Sequence, residues 1–155
     1  MKEIKILLSA VCLLILGAAG FFIYENYITA YSEFGNKIIK MKLGEDVFLA
    51  EIVDNQKKIE KGLSDRESLC EKCAMLFIFD NPIRHNFWMK EMEFDLDLIW
   101  VRDDKIVQIS SRISHESGAK ETISPMGEVD KVIEINAGMS EKLGLKVGDE
   151  MKINK

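Results

Sequence analysis

The sequence predicts a mainly β domain, barrel-like or sandwich-like, of about seven strands with two short helices, preceded by one transmembrane α-helix. Three observations lead there. The first is an uncharged run of 19 residues, Ile6 to Tyr24, near the N-terminus of the 155-residue chain. The second is a series of short apolar, β-branched segments after residue 37, separated by Gly, Asp and Asn turns. The third is the lack of alternating strand and long-helix patterns, which speaks against a parallel βαβ architecture.

As a helix, the apolar run would span roughly 28 Å at ~1.5 Å per residue, close to the ~30 Å hydrocarbon core. A cleaved signal peptide would have a shorter apolar core, and cleavage after Gly17-Ala18-Ala19 would leave Phe21, Phe22 and Ile23 on the new terminus. A lipoprotein site would need a small residue before Cys12, where Val11 stands. Residues 1–30 are therefore read as a cytoplasmic stub and uncleaved signal anchor. Lys2 and Lys5 precede the span and Glu25 follows it, which places the N-terminus inside the cell membrane and the domain outside the cytoplasm. Tyr24, Tyr27 and Tyr31 suit the membrane interface, and residues 31–37 read as a tether to the domain at 38–155.

Within that domain, Ile38 to Leu43 and Val47 to Val53 read as strands joined by Gly44-Glu45-Asp46. Asp54 or Asn55 can cap a short helix through about Leu63, with Ile59 and Leu63 on one face. Met75 to Phe79 is a short apolar run before the turn formers Asp80-Asn81-Pro82, and its length and aromatic content favour a buried strand. His85 to Lys90 reads as a strand, as do Leu96 to Val101 and Ile106 to Ser110, the last two joined by Arg102 to Lys105. Ser111 to Glu128 is a long polar loop, of a length that is usually functional or mobile. Lys131 to Ile135 is a further strand. Ser140 is expected to cap one helical turn closed by Gly144, and Val147 to Met151 turns into the final strand.

The net charge of −5 argues against a nucleic-acid partner, and no Lys/Arg run exceeds two residues. Cys70 and Cys73 form a C-x-x-C pair, expected as a local disulfide. A redox role would want the attacking thiol at a helix N-terminus, whereas this pair precedes an apolar strand. A zinc site shared by the pair with His85 and His115 has no support in the spacing, so neither metal nor cofactor is expected. The densest polar and aromatic cluster is Arg84 to Lys90 with Asp95 and Asp97. In extended chain, His85, Phe87 and Met89 share one face while Asn86, Trp88 and Lys90 share the other. Trp88 and Lys90 with an aspartate would make a polar pocket wall for a small ligand. The alternative is a core Trp88 and a structural Lys90–Asp97 ion pair.

Several motifs together are more specific than any one alone. They are Lys61-Gly62-Leu63-Ser64, Ala74 to Phe79, His85 to Lys90, Leu96-Asp97, Val132 to Gly138 and Gly148-Asp149. In this order, from about Val47 to the C-terminus, they resemble domain-of-unknown-function family 192, a prokaryotic family of uncharacterised proteins. The resemblance implies a compact β-barrel-like domain, often exported behind a signal peptide or membrane anchor, and supplies no reaction. It also implies site residues at Phe87, Trp88, Met89, Lys90 and Asp97. Two departures stand out. Glu91-Met92 replace the usual Asn-Thr, and Asp95 replaces a proline. The resulting expectation is a membrane-anchored extracytoplasmic domain that is a small-molecule-binding or accessory module. The alternatives are an envelope enzyme, hydrolytic or thiol–disulfide, and a protein-interaction scaffold in the envelope.

Overall fold

The structure, a computed structural model, describes residues 31–153. The expected signal anchor at 1–30 lies outside the described residues, among which no helix is long and apolar enough to cross a membrane. Seven strands form one curled sheet. In chain order they are β1 (Ile38–Leu43), β2 (Asp46–Val53), β3 (Cys73–Ile83), β4 (Leu96–Arg102), β5 (Lys105–Ile113), β6 (Val129–Asn136) and β7 (Met151–Ile153). Two short helices join them, α1 (Gln56–Lys61) and α2 (Met139–Lys142). The spatial order is β5-β4-β6-β3-β2-β1-β7. The edges approach each other at one end, where Lys105 bridges Glu150 and the Ile106 N–H donates to the Asp149 carbonyl at 2.8 Å. The result is a half-barrel, and its mainly β character and two short helices agree with the sequence reading.

Every neighbouring pair is antiparallel except β2 and β3, which run parallel. Parallel neighbours need a crossover, and α1 with the loop after it provides one. β3, β4 and β6 lie centrally and are buried on both faces, which is why they read as nearly continuous apolar runs. Alternation sorts their side chains into two layers. Ala74, Leu76, Ile99, Val101, Ile133 and Ile135 fill the inside of the curl with Met41, Phe48 and Met151. Met75, Phe77, Leu98, Trp100 and Val132 face outward and pack with Leu63 and Met89.

Several local expectations need correcting. His85 to Lys90 is not a strand of the sheet; only Phe87 pairs, in an isolated bridge with Ile123. Its alternation nonetheless holds, because the stretch is extended: Met89 is buried while Asn86, Trp88 and Lys90 are exposed. Asp80-Asn81-Pro82 does not end β3. The ladder with β6 shifts register between Ile78 and Ile83, so these residues form a bulge, where a proline's missing N–H is tolerated. β5 runs three residues past Ser110, to Ile113. Ser140 does not cap α2 through its own side chain; Gly138 holds that position with φ +80°, and a side chain from β4 does the capping. Residues 31–37, read as a tether, form a tight turn closed by a Tyr31–Lys37 bridge, with Ser32 and Asn36 donating to the Glu51 carboxylate.

Candidate functional site

On the outer face of the sheet lies a cleft of about 400 Å³, within the ~300–1,000 Å³ range of ligand sites. α1 forms one wall. It starts where Asn55 accepts the Lys58 N–H and stops at Gly62, whose φ of +50° favours glycine. Gln56, Ile59 and Glu60 from this helix line the cleft. Phe77, Leu63 and Glu134 also line it, and the opposite side is Ile83, His85, Phe87, Trp88 and Met92.

The second wall is an extended strap, residues 84–92, fastened on both sides. Ser64 Oγ donates to the Lys90 carbonyl at 2.9 Å, and the Asp65 N–H to the Glu91 carbonyl at 2.7 Å. On the other side Phe87 and Ile123 exchange backbone hydrogen bonds at 2.9 and 2.8 Å, and the Met89 N–H donates to Gly118 at 3.0 Å. Ser124 Oγ donates to Asn86 Oδ1 at 2.7 Å, and Arg84 Nε to the Pro125 carbonyl at 3.0 Å. The long polar loop expected as functional or mobile thus backs the strap. Phe87 is locked edge-on between Phe77, Phe79 and Trp100, with centroids 4.9, 6.5 and 5.5 Å apart. Trp88, one residue on, turns the other way and is 50% exposed at the cleft.

Among the described residues, four buried side-chain polar atoms have no hydrogen-bond partner, and two of them, His85 Nε2 and Glu134 Oε2, belong to side chains that line this cleft. His85 stacks on Phe79 with centroids 3.5 Å apart. Burial holds its pKa below the ordinary histidine value, partly offset by a hydrogen bond to the Asn81 backbone. The imidazole is therefore neutral near pH 7. Nε2 is buried without a hydrogen-bond partner, and on the neutral ring it accepts when the proton sits on Nδ1. Glu134 is 6% exposed and stands across from Met75 on β3 and Leu98 on β4. This apolar burial raises its pKa to about 8, against a pull downward from Arg66.

The expected site residues separate. Phe87 and Trp88 line the cleft, and Met89 is buried in the outer apolar layer. Lys90 lies outside the cleft lining; its backbone fastens the strap while its ammonium sits 3.5 Å from Glu91, in place of the ion pair with Asp97. Asp97 is fully buried away from the cleft. It accepts the N–H groups of Arg112, Gly138 and Ser140 at 2.7, 3.0 and 2.9 Å, and the Ser140 hydroxyl at 2.6 Å, and so caps α2. Glu91 is exposed and paired with Lys90, and Asp95 accepts the His115 N–H at 2.9 Å. Cys70 and Cys73 stand at disulfide distance, with Cα atoms 5.0 Å apart; Cys73 opens β3, so no helix N-terminus lowers a thiol pKa there.

Sequence reasoning missed Glu134. It stands between Ile133 and Ile135 in a strand that also carries Asp130 and Lys131, so its burial shows only once the cross-strand neighbours are known. Two larger clefts, of about 500 and 630 Å³, flank Arg66. They are more open, and their buried charges are already satisfied, since Arg66 pairs with Glu51 at 2.6 Å.

Over the described residues, fold and cleft define a β half-barrel with an aromatic-walled groove of ligand size on its outer face. Residues 38–153 match the model of the family DUF192, "Uncharacterized ACR", and the chain belongs to that family. A protein of unknown function from Novosphingobium aromaticivorans DSM 12444 is 26% identical over 79% of this chain and 91% of its own, with a TM-score of 0.74. A putative transcription regulator from Sinorhizobium meliloti 1021 is 23% identical over 81% of this chain and 97% of its own, with a TM-score of 0.68; at that identity the likeness is one of fold. No functionally curated protein matches the chain.

Proposed function

We propose that this protein is a membrane-anchored, extracytoplasmic binding module for a small molecule, held in the cleft between α1 and the 84–92 strap. The observation that carries the reading is Trp88, half exposed at a ligand-sized cleft whose strap is fixed by backbone hydrogen bonds on both sides. A large aromatic side chain left in water on a rigid wall supplies a contact face without ordering cost on binding. Export is supported by the 19-residue uncharged run behind Lys2 and Lys5, and by a cysteine pair at disulfide distance, which suits an oxidising compartment.

The test is ligand-dependent stabilisation of the full chain, screened against sugars, nucleotides, metals and envelope fragments. A true ligand at 100 times its dissociation constant adds about 2.7 kcal/mol to stability. That gain should vanish in Trp88→Ala, whose own stability stays within ~1 kcal/mol of the parent because the ring is half exposed. Equal stabilisation of the variant would place binding elsewhere.

A further inference from the structure

We infer that the cleft takes an uncharged ligand, one that offers a hydrogen-bond donor to His85 Nε2 and an acceptor to Glu134 beside an apolar face for Trp88. This rests on the binding reading above and names the chemistry it selects. Both polar atoms are closed off from water and unpartnered, so each lacks the hydrogen bond that either solvent or protein would normally supply. A ligand that satisfies them relieves the cost of leaving them unpaired.

The surroundings decide the charge. The titratable groups around Glu134 are Arg66 from the loop after α1, which pulls its pKa down, and Glu60, Lys61 and His85, which line the same cleft. His85 is neutral, and Arg66 is committed to Glu51 through two contacts at 2.6 and 2.9 Å. Lys61, the lysine in the cleft lining, pairs with Asp65, so among the described residues no cation lining the cleft is without a carboxylate partner. The carboxyl of Glu134, with its pKa near 8, is itself protonated at neutral pH and can donate as a neutral acid does. A carboxamide or a hydroxyl carries both the donor and the acceptor that these atoms call for within one small group.

Benzamide, benzoate and benzamidinium share one shape and differ in head-group charge, so they isolate this question. The readout is the indole N–H resonance of Trp88 in the full chain, with free probe concentrations fixed by dialysis. At about pH 7, where Glu134 is protonated and His85 neutral, benzamide should bind at least ~10-fold more tightly than either ion. His85→Phe keeps a ring on Phe79 but removes the acceptor, and Glu134→Leu removes the donor; each should erase that preference. Raising the pH through about 8 should move the preference toward benzamidinium as Glu134 ionises. Benzoate binding as tightly as benzamide in the parent protein would overturn the head-group assignment while leaving the cleft as a binding site. No response of Trp88 to any probe would overturn the binding reading as well.

Discussion

Asp97 Oδ2 accepts the hydroxyl of Ser140 at 2.6 Å and its N–H at 2.9 Å, tying the middle of the sheet to α2 across 43 residues of sequence. The same carboxylate takes the Arg112 and Gly138 N–H groups on its other oxygen. A four-residue helix has too little hydrogen bonding of its own to persist, and here its orphan N–H groups are satisfied by a side chain from another element. Asp97→Ala leaves buried donors without an acceptor and should cost about 3 kcal/mol or more. Urea unfolding of the variant checks this; a cost under ~1 kcal/mol would show that Asp97 is not holding α2.

Arg66 and Glu51 form the buried ion pair of the domain, and Phe34 stacks over the guanidinium at 3.8 Å. Burial alone would raise the Glu51 pKa, but hydrogen bonds from Arg66, Asn36 and Ser32 outweigh it and lower the pKa below 4.5. A depressed carboxylate stabilises the fold above its unfolded pKa, and that contribution is lost as pH falls through the folded value. Arg66→Ala strands the carboxylate and should cost about 3–5 kcal/mol at neutral pH. The deficit should shrink on acidification below about 4.5, as Glu51 is protonated. A deficit independent of pH would point to lost packing on Phe34 in place of charge.

Glu134 behaves in the opposite sense. Its folded pKa of about 8 lies above the 4.5 of the unfolded chain, so the folded state holds the extra proton between those values. Its contribution is full below 4.5 and falls as pH rises to about 8, with the carboxyl charging against Met75 and Leu98 beyond that. Glu134→Gln removes this dependence and should raise stability by more than ~1 kcal/mol at about pH 9. Thermal unfolding of the two proteins across pH gives the answer, and parallel curves would contradict it.

The Cys70–Cys73 link closes a loop of only a few residues, and chain-entropy arguments give it roughly 2 kcal/mol. The double variant Cys70→Ser/Cys73→Ser should therefore fold, lose about that much stability and keep ligand binding. In intact cells the two thiols should resist maleimide until a reductant is added, as in an oxidising compartment. Immediate labelling in untreated cells would argue against export.

What could be read from the sequence follows from how each element is stabilised. β4 and β6 were legible because strands buried on both faces must be apolar throughout, and Asn55 declared the start of α1 through its side chain. The strap at 84–92 was misread because extended chain alternates its side chains whether or not a sheet pairs it, and its partners are the Ser64–Asp65 turn and the 114–125 loop. Trp88 stands out by local composition and Phe87 through the family motif, and both line the cleft. Asp97 was assigned to the same site because motif proximity cannot say which layer a β4 residue faces, and its partners lie 15, 41 and 43 positions away. Glu134 escaped for the converse reason: nothing local marks a strand carboxylate as buried until its cross-strand neighbours are known to be apolar.

The central claim is that the cleft between α1 and the strap is where this protein binds. Backbone amide mapping of the full chain by NMR, with benzamide as probe, tests it most directly. The account predicts that perturbed residues cluster at 59–64, 83–92 and 132–134 and that Trp88→Ala abolishes them. Perturbations centred instead on Phe34, Arg66 and Cys70, or found nowhere, would contradict it.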